Sequence, residues 1–268
     1  MKFISPGGWF SLEYPANWSE FEDSEETFLF YNPNQWNGNF RISAYKGETK
    51  DYASQCVAYE LKNNPTSSPV QVGDWACAYS AETFQEEGAW YTTHIWVTGK
   101  SDICFECSFT VAKGSARNAA EDILRTLKIR TGKEGKEIIP IRVLEIGEVN
   151  AAFEWASATI KKNLTKDFTS QEEDIVKLQA LVDGGKIQSN QRTAWESIGL
   201  AFGSILENEM EGMTWVSVID GHHEYAALQF GDFLVNPAHW VWSKAKVKQS
   251  IDLKAEFARI KEEVEKRL

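Results

Sequence analysis

Apolar and polar positions alternate along most of the first half of the chain, and apolar positions recur every three to four residues along most of the second. In residues 9–14, Phe10, Leu12 and Tyr14 alternate with Ser11 and Glu13, which is strand periodicity. The run stops at Pro15, and Trp18 follows three residues later. Residues 27–31 and 39–45 read as two further strands joined by 32–38, a turn dense in Asn and Pro that ends on Asn37-Gly38. Residues 51–64 switch to helical spacing through Tyr52, Cys56, Tyr59 and Leu61, and Asn63-Asn64-Pro65 ends them. Residues 74–84, 89–98 and 101–111 are three more strands, with Gly88 and Gly99 at the turns. A helix over 115–127 presents Ala120, Ile123, Leu124 and Leu127 on one face. The pattern predicts an α+β domain in which an antiparallel sheet carries packed helices.

The second half predicts helices over 147–164, over the stretch opened by Ser170-Gln171-Glu172-Glu173, over 189–210 and over 252–268. The spacing of Ser170 and Glu173 is that of a capping box. Gly199 and Gly203 lie one turn apart in the third helix, where each costs about 1 kcal/mol in propensity, so close packing is the reason expected for them. Strands at 214–219, 224–230 and 233–235 enclose an Asp220-Gly221 turn, and Asn236-Pro237 follows. Between the halves, 132–141 is rich in Gly, Lys and Glu and reads as a linker. The expected organisation is a domain at 1–131, this linker, and a helix-rich α+β domain at 142–268.

Composition narrows the function classes. The 268 residues carry a formal net charge of −11. Before residue 132 there are 11 Lys and Arg against 17 Asp and Glu, and after it 17 against 22, so the halves carry −6 and −5. Neither half has the basic footprint that a phosphate backbone or an anionic membrane surface selects, so nucleic acid and membrane are not expected partners. The N-terminus has no apolar signal region and no stretch is long enough to cross a bilayer, which predicts a cytoplasmic protein. Cys56, Cys77, Cys104 and Cys107 lie in apolar-rich segments, as buried reduced thiols do. The Cys104-x-x-Cys107 pair sits on a strand, where residues three apart face opposite ways, so it does not converge on zinc.

The string Phe10-Ser11-Leu12-Glu13-Tyr14-Pro15-Ala16-Asn17-Trp18, with the order of elements over 1–130, resembles the PsbP-like fold. That fold is shared by a photosystem oxygen-evolving subunit, the Mog-type Ran-binding protein and the DcrB-type bacterial proteins. The resemblance implies an antiparallel sandwich that acts mainly by binding other proteins, chaperones of secreted toxins among them. Trp195, Gly199, Gly203, Trp215, Asp220, Pro237 and Trp240 are similar to the pattern of a bacterial domain of unknown function, which implies a boundary and no activity.

Chemical constellations are sparse. No serine occupies a nucleophile elbow, no glycine run cradles a phosphate, and no cofactor is implied. Asp220, His222, His223 and Glu224 bring four acid–base or metal-ligating groups within five residues, although an Asp-Gly hairpin turn accounts for them equally. His94 and Trp96 share a strand face and could line a cleft. Glu20, Glu22, Asp23, Glu25 and Glu26 read as an acidic loop able to steer a basic partner. Trp36, in the asparagine-rich turn, suits an interface anchor or folds back over the sheet. The function this predicts is a non-enzymatic protein-binding module of the adaptor, chaperone or immunity type. The alternatives are a hydrolase or metal enzyme built on the 220–224 turn, and a small-ligand binder using a cleft beside His94 and Trp96.

Overall fold

The alternating first half folds into antiparallel strands, and Pro and Gly close the turns between them. The computed structural model describes residues 1–24, 27–221 and 223–268, with 22–24 as backbone alone. It separates into two units, Met1–Glu134 and Gly135–Leu268. The first unit contains β1 (Lys2–Ile4), β2 (Phe10–Glu13), β3 (Ser19–Ser24), β4 (Thr27–Tyr31) and β5 (Asn39–Lys46). Helix α1 (Tyr52–Asn63) follows, then β6 (Ser68–Val72), β7 (Trp75–Glu86), β8 (Ala89–Lys100), β9 (Ile103–Ala112), α2 (Asn118–Thr126) and β10 (Lys128–Ile129).

Seven strands form one antiparallel sheet in the order β3-β4-β5-β9-β8-β7-β6, and β1-β2-β10 form a second. Pairing puts Phe30, Phe40 and Phe109 in one row across β4, β5 and β9. Phe10 and Leu12 of β2 and Ile123 and Leu124 of α2 close over that face, making the core. Each such side chain contributes about 1.5–3 kcal/mol on burial. Trp18 is buried and stacks on Phe109 at 6.2 Å, and Tyr14 lies 4.9 Å from Phe30. The Phe10–Trp18 string therefore supplies one wall of the core.

One expectation fails here. Over its described part the acidic stretch is not a loop: residues 19–24 form edge strand β3, antiparallel to β4. Glu20 and Phe21 alternate between its two faces, and charge along an edge discourages pairing with another chain. Glu20 is half-buried beside Tyr14, whose phenol is pushed up to about 12, first by burial and then by Glu20. Glu25 and Glu26 lie outside the described residues.

The second unit contains β11 (Glu137–Pro140), α3 (Val143–Leu164), a single 3-10 turn (Glu172–Asp174), α4 (Ile175–Asp183), α5 (Arg192–Glu209), β12 (Thr214–Asp220), β13 (His223–Phe230), β14 (Phe233–Val235), α6 (Pro237–Ala245) and α7 (Leu253–Glu265). Its antiparallel sheet has the order β11-β12-β13-β14, and its core gathers Ile160, Leu178, Phe202, Leu228 and Ile260 from four helices and a strand. The proposed linker 132–141 is thus only partly a linker. Residues 137–140 pair with β12 and belong to the second sheet, because Ile138-Ile139 supply the alternation a strand needs.

Two further corrections concern helix starts. The capping box falls one residue later than the Ser170–Glu173 spacing predicts, between Gln171 and Asp174. Asp174 is fully buried and accepts from the Thr169 amide at 2.6 Å, the Gln171 amide at 3.3 Å and the Lys177 ammonium. Ser170 takes a left-handed φ of 58° instead. The segment after Asn236-Pro237 forms α6, with Pro237 in its first turn and the Asn236 side chain accepting from the His239 amide at 2.9 Å.

Candidate functional site

The core side of the large sheet is filled, so the sequence-predicted cleft residues are best taken first. His94 and Trp96 both point into the core side, opposite Ala81 and Tyr79. Trp96 is fully buried, which removes it from any cleft. His94 is half-buried, with Nδ1 2.7 Å from the Tyr79 hydroxyl. The Arg117 guanidinium lies 4.2 Å from the Tyr79 ring centroid and pairs with Glu121 at 2.8 Å. Burial, and then the Arg117 charge, hold the His94 imidazole below the usual histidine range. This cluster fixes α2 against β7 and β8.

The 220–224 turn is also committed elsewhere. Asp220 pairs with His223 at the β12–β13 hairpin, and Gly221 takes φ 63°. His222 lies outside the described residues. Glu224 accepts from Arg142 at 2.9 Å, and Arg142 also forms a bidentate pair with Glu145. Ser217 donates to Glu145 at 2.7 Å and accepts the Arg142 amide at 3.0 Å. Arg142, Glu145 and Ser217 are all buried, so the network ties the start of α3 to β12 and β13. Among the described residues no group of three His, Cys, Asp or Glu side chains gathers as a metal site.

The outward face of the large sheet is different. Helix α1 packs over one part of it, where Gly99 leaves room: a Cβ there would meet the Ala53 Cβ at 2.9 Å. Away from α1 the face carries Leu29, Tyr31, Thr93, Ile95 and Thr110, all half-buried. Its end is aromatic. Phe21 stacks on Tyr31 at 3.9 Å, Trp36 meets Tyr91 edge-on at 5.9 Å, and Tyr91 stacks on Phe84 at 5.7 Å. Trp36 is 43% exposed and Phe84 38%.

The sequence dictates that placement of Trp36. Asn32 accepts from the Asn34 and Gln35 amides, an Asx turn that folds the β4–β5 loop. Gly38, at φ 124°, lets the chain lie against Phe109, where a Cβ would fall 2.4 Å from the ring. The Trp36 indole N–H then donates to the Asn39 side chain at 2.6 Å. The ring is therefore held outward by its own loop. Sequence singled out Trp36 alone; Phe84 and Tyr91 were hidden because their alternation reads as ordinary strand.

Comparison with known proteins bears on the whole chain. A profile described as a domain of unknown function, DUF3805, matches residues 1–150, and a second, DUF3806, also a domain of unknown function, matches 174–257. A crystal structure from Bacteroides thetaiotaomicron VPI-5482 is 46% identical, covers 96% of each chain and superimposes with a TM-score of 0.93. Two distant structures match about half of this chain. LpqN of Mycobacterium tuberculosis, involved in cell envelope biogenesis, is 16% identical over 49% of this chain and 91% of its own, with a TM-score of 0.32. Cyanobacterial PsbP from Synechocystis sp. PCC 6803 is 11% identical over 48% and 92%, with a TM-score of 0.26. No functionally curated protein matches the chain. With more than half its length inside the first profile, the chain belongs to the DUF3805 family and carries a DUF3806 domain behind it.

Proposed function

We propose that the protein is a non-enzymatic protein-binding module whose first unit receives a partner on the aromatic end of its outward sheet face. The observation that carries this reading is the exposed set Trp36, Tyr91 and Phe84, locked in place before any partner arrives. A tryptophan exposed at the centre of such a patch suits an anchor, because its large area is buried at little entropic cost once its rotamer is already fixed. Glu82 shares the face, Glu86 and Glu87 close the adjoining hairpin, and the chain is acidic throughout, so the partner is read as basic around an apolar centre. Cytoplasmic residence belongs to the same proposal, supported by the buried thiols of Cys77, Cys104 and Cys107. The hydrolase or metal-enzyme alternative draws less support, since Glu224 is held by Arg142.

The test is a quantitative affinity capture from the native host with wild type, Trp36→Ala and Val176→Ala. Val176 is exposed on α4 of the other unit and serves as the control. One partner should be recovered at near-equal amounts with wild type and with Val176→Ala. Its affinity should fall about thirtyfold in Trp36→Ala, roughly the 2 kcal/mol of an interface anchor. Trp36→Ala should still unfold cooperatively, losing no more than about 1–2 kcal/mol with the Asn39 hydrogen bond and the Tyr91 edge contact. Equal recovery by Trp36→Ala sinks this reading.

A further inference from the structure

The second unit holds a cavity of about 670 Å³ between α3, α5 and β12. That volume lies within the range of small-molecule sites. One wall is apolar, built from Ile146, Val149 and Phe153 of α3. The other is polar and contains Ser170, Glu207 and Trp215. Two of these polar groups are buried without a hydrogen-bond partner: the Ser170 hydroxyl and the Trp215 indole N–H. Ser170 is 3% exposed and Trp215 8%. Leaving such groups unpaired is unfavourable.

Their isolation has local causes. Asp174 takes over the capping role that the Ser170–Glu173 spacing suggests, so the Ser170 hydroxyl is released while its carbonyl accepts from the Asn208 side-chain Nδ2 at 3.1 Å. Gly203 admits the Trp215 ring: a Cβ there would stand 2.5 Å from the indole, which could then not reach the cavity wall. Glu207 has no ion-pair partner among the described residues. Burial raises its carboxyl above the usual range, and the indole N–H offsets part of that rise.

We propose that this cavity binds a small uncharged amphipathic molecule whose head group both accepts and donates hydrogen bonds, a primary amide or alcohol on an aliphatic chain. The Trp215 N–H can only donate, so the head must offer an acceptor. The Glu207 carboxyl accepts, so the head must also offer a donor. A carboxylate or phosphate head meets the Glu207 charge with no cation to offset it. An ammonium head presents no acceptor to Trp215. The aliphatic chain lies along Ile146, Val149 and Phe153. This goes beyond the docking reading of the first unit and uses none of its residues.

The probes are octanamide, octanoate and octylamine, titrated calorimetrically into the full chain at pH 8. Octanamide should bind saturably at one site per chain, with octanoate and octylammonium at least tenfold weaker. Trp215→Phe keeps the ring and removes the N–H, and should weaken octanamide about tenfold. Ser170→Ala should weaken it severalfold and stands as the second variant should Trp215→Phe fail to fold, which melting by circular dichroism reads directly. Glu207→Gln should narrow the gap between octanoate and octanamide to within about threefold. Absence of saturable octanamide binding to folded wild type overturns the proposal, as does binding undiminished in both folded variants. Equal or tighter binding of octanoate or octylammonium overturns the neutral-head assignment.

Discussion

Single side chains in this protein divide into those that hold the fold and those left facing outward, and His94 belongs to the first kind. Its imidazole is depressed below the histidine range by burial and by Arg117. A depressed pKa means that the unfolded chain binds the proton more readily than the folded one. The stability it contributes is therefore present above the unfolded value near 6.5 and is lost as pH falls from there through the folded pKa. Acidification from pH 7.5 to 5 should lower the melting temperature of wild type more than that of His94→Gln. Parallel acid profiles for the two would show that His94 carries no such linkage. The sequence exposed His94 as a strand residue but not its orientation, because period 2 says which residues share a face and not which face is covered. Trp96 shows the same limit, since its partners across the sheet are Tyr79 of β7 and Cys107 of β9. The Arg142–Glu145–Ser217–Glu224 network was illegible for another reason: its members lie up to 82 residues apart.

At the level of elements, glycines in helices distinguish close packing from chance. Gly199 of α5 lies against the start of α6, where a Cβ would fall 2.4 Å from the Pro237 carbonyl oxygen. That obstacle is backbone and cannot step aside, so Gly199→Ala should destabilise by about 1–3 kcal/mol. Gly147 of α3 meets nothing within 4 Å, and Gly147→Ala should instead stabilise by up to about 1 kcal/mol through propensity. Chemical denaturation of both variants checks the contrast, and a stabilised Gly199→Ala would refute the close approach. The W-x-x-x-G-x-x-x-G spacing in α5 was legible as a packing signal, although not what packs there. Helix α6 was missed because Pro237 reads as an ending, whereas after an Asn cap it is also a favoured first residue. Strand β11 was hidden by the Gly and Lys that precede it.

On the scale of the whole chain, the segment that composition marks as a linker falls into two parts. Residues 132–136 carry the glycines and charges that keep a segment out of any sheet, while 137–140 carry the paired isoleucines that β12 recruits. Lys133 and Lys136 are exposed, and both lie before the strand begins. Glu134 turns back to accept from the Thr131 amide at 2.9 Å and hydroxyl at 3.1 Å, a local turn that spends no tertiary packing. Segments with few buried contacts open at low free energy, and proteolysis follows that opening. Brief trypsin treatment of the native protein should therefore cut first after Lys133 or Lys136, giving two resistant fragments of roughly half the 30.4 kDa chain each. Each unit has its own sheet and its own buried cluster, so each fragment should melt cooperatively by itself. Mass spectrometry of the first fragments reads the site. A first cut inside either unit while Lys133 and Lys136 stay intact would show that the connector is protected and that the two units do not stand as separate folding bodies.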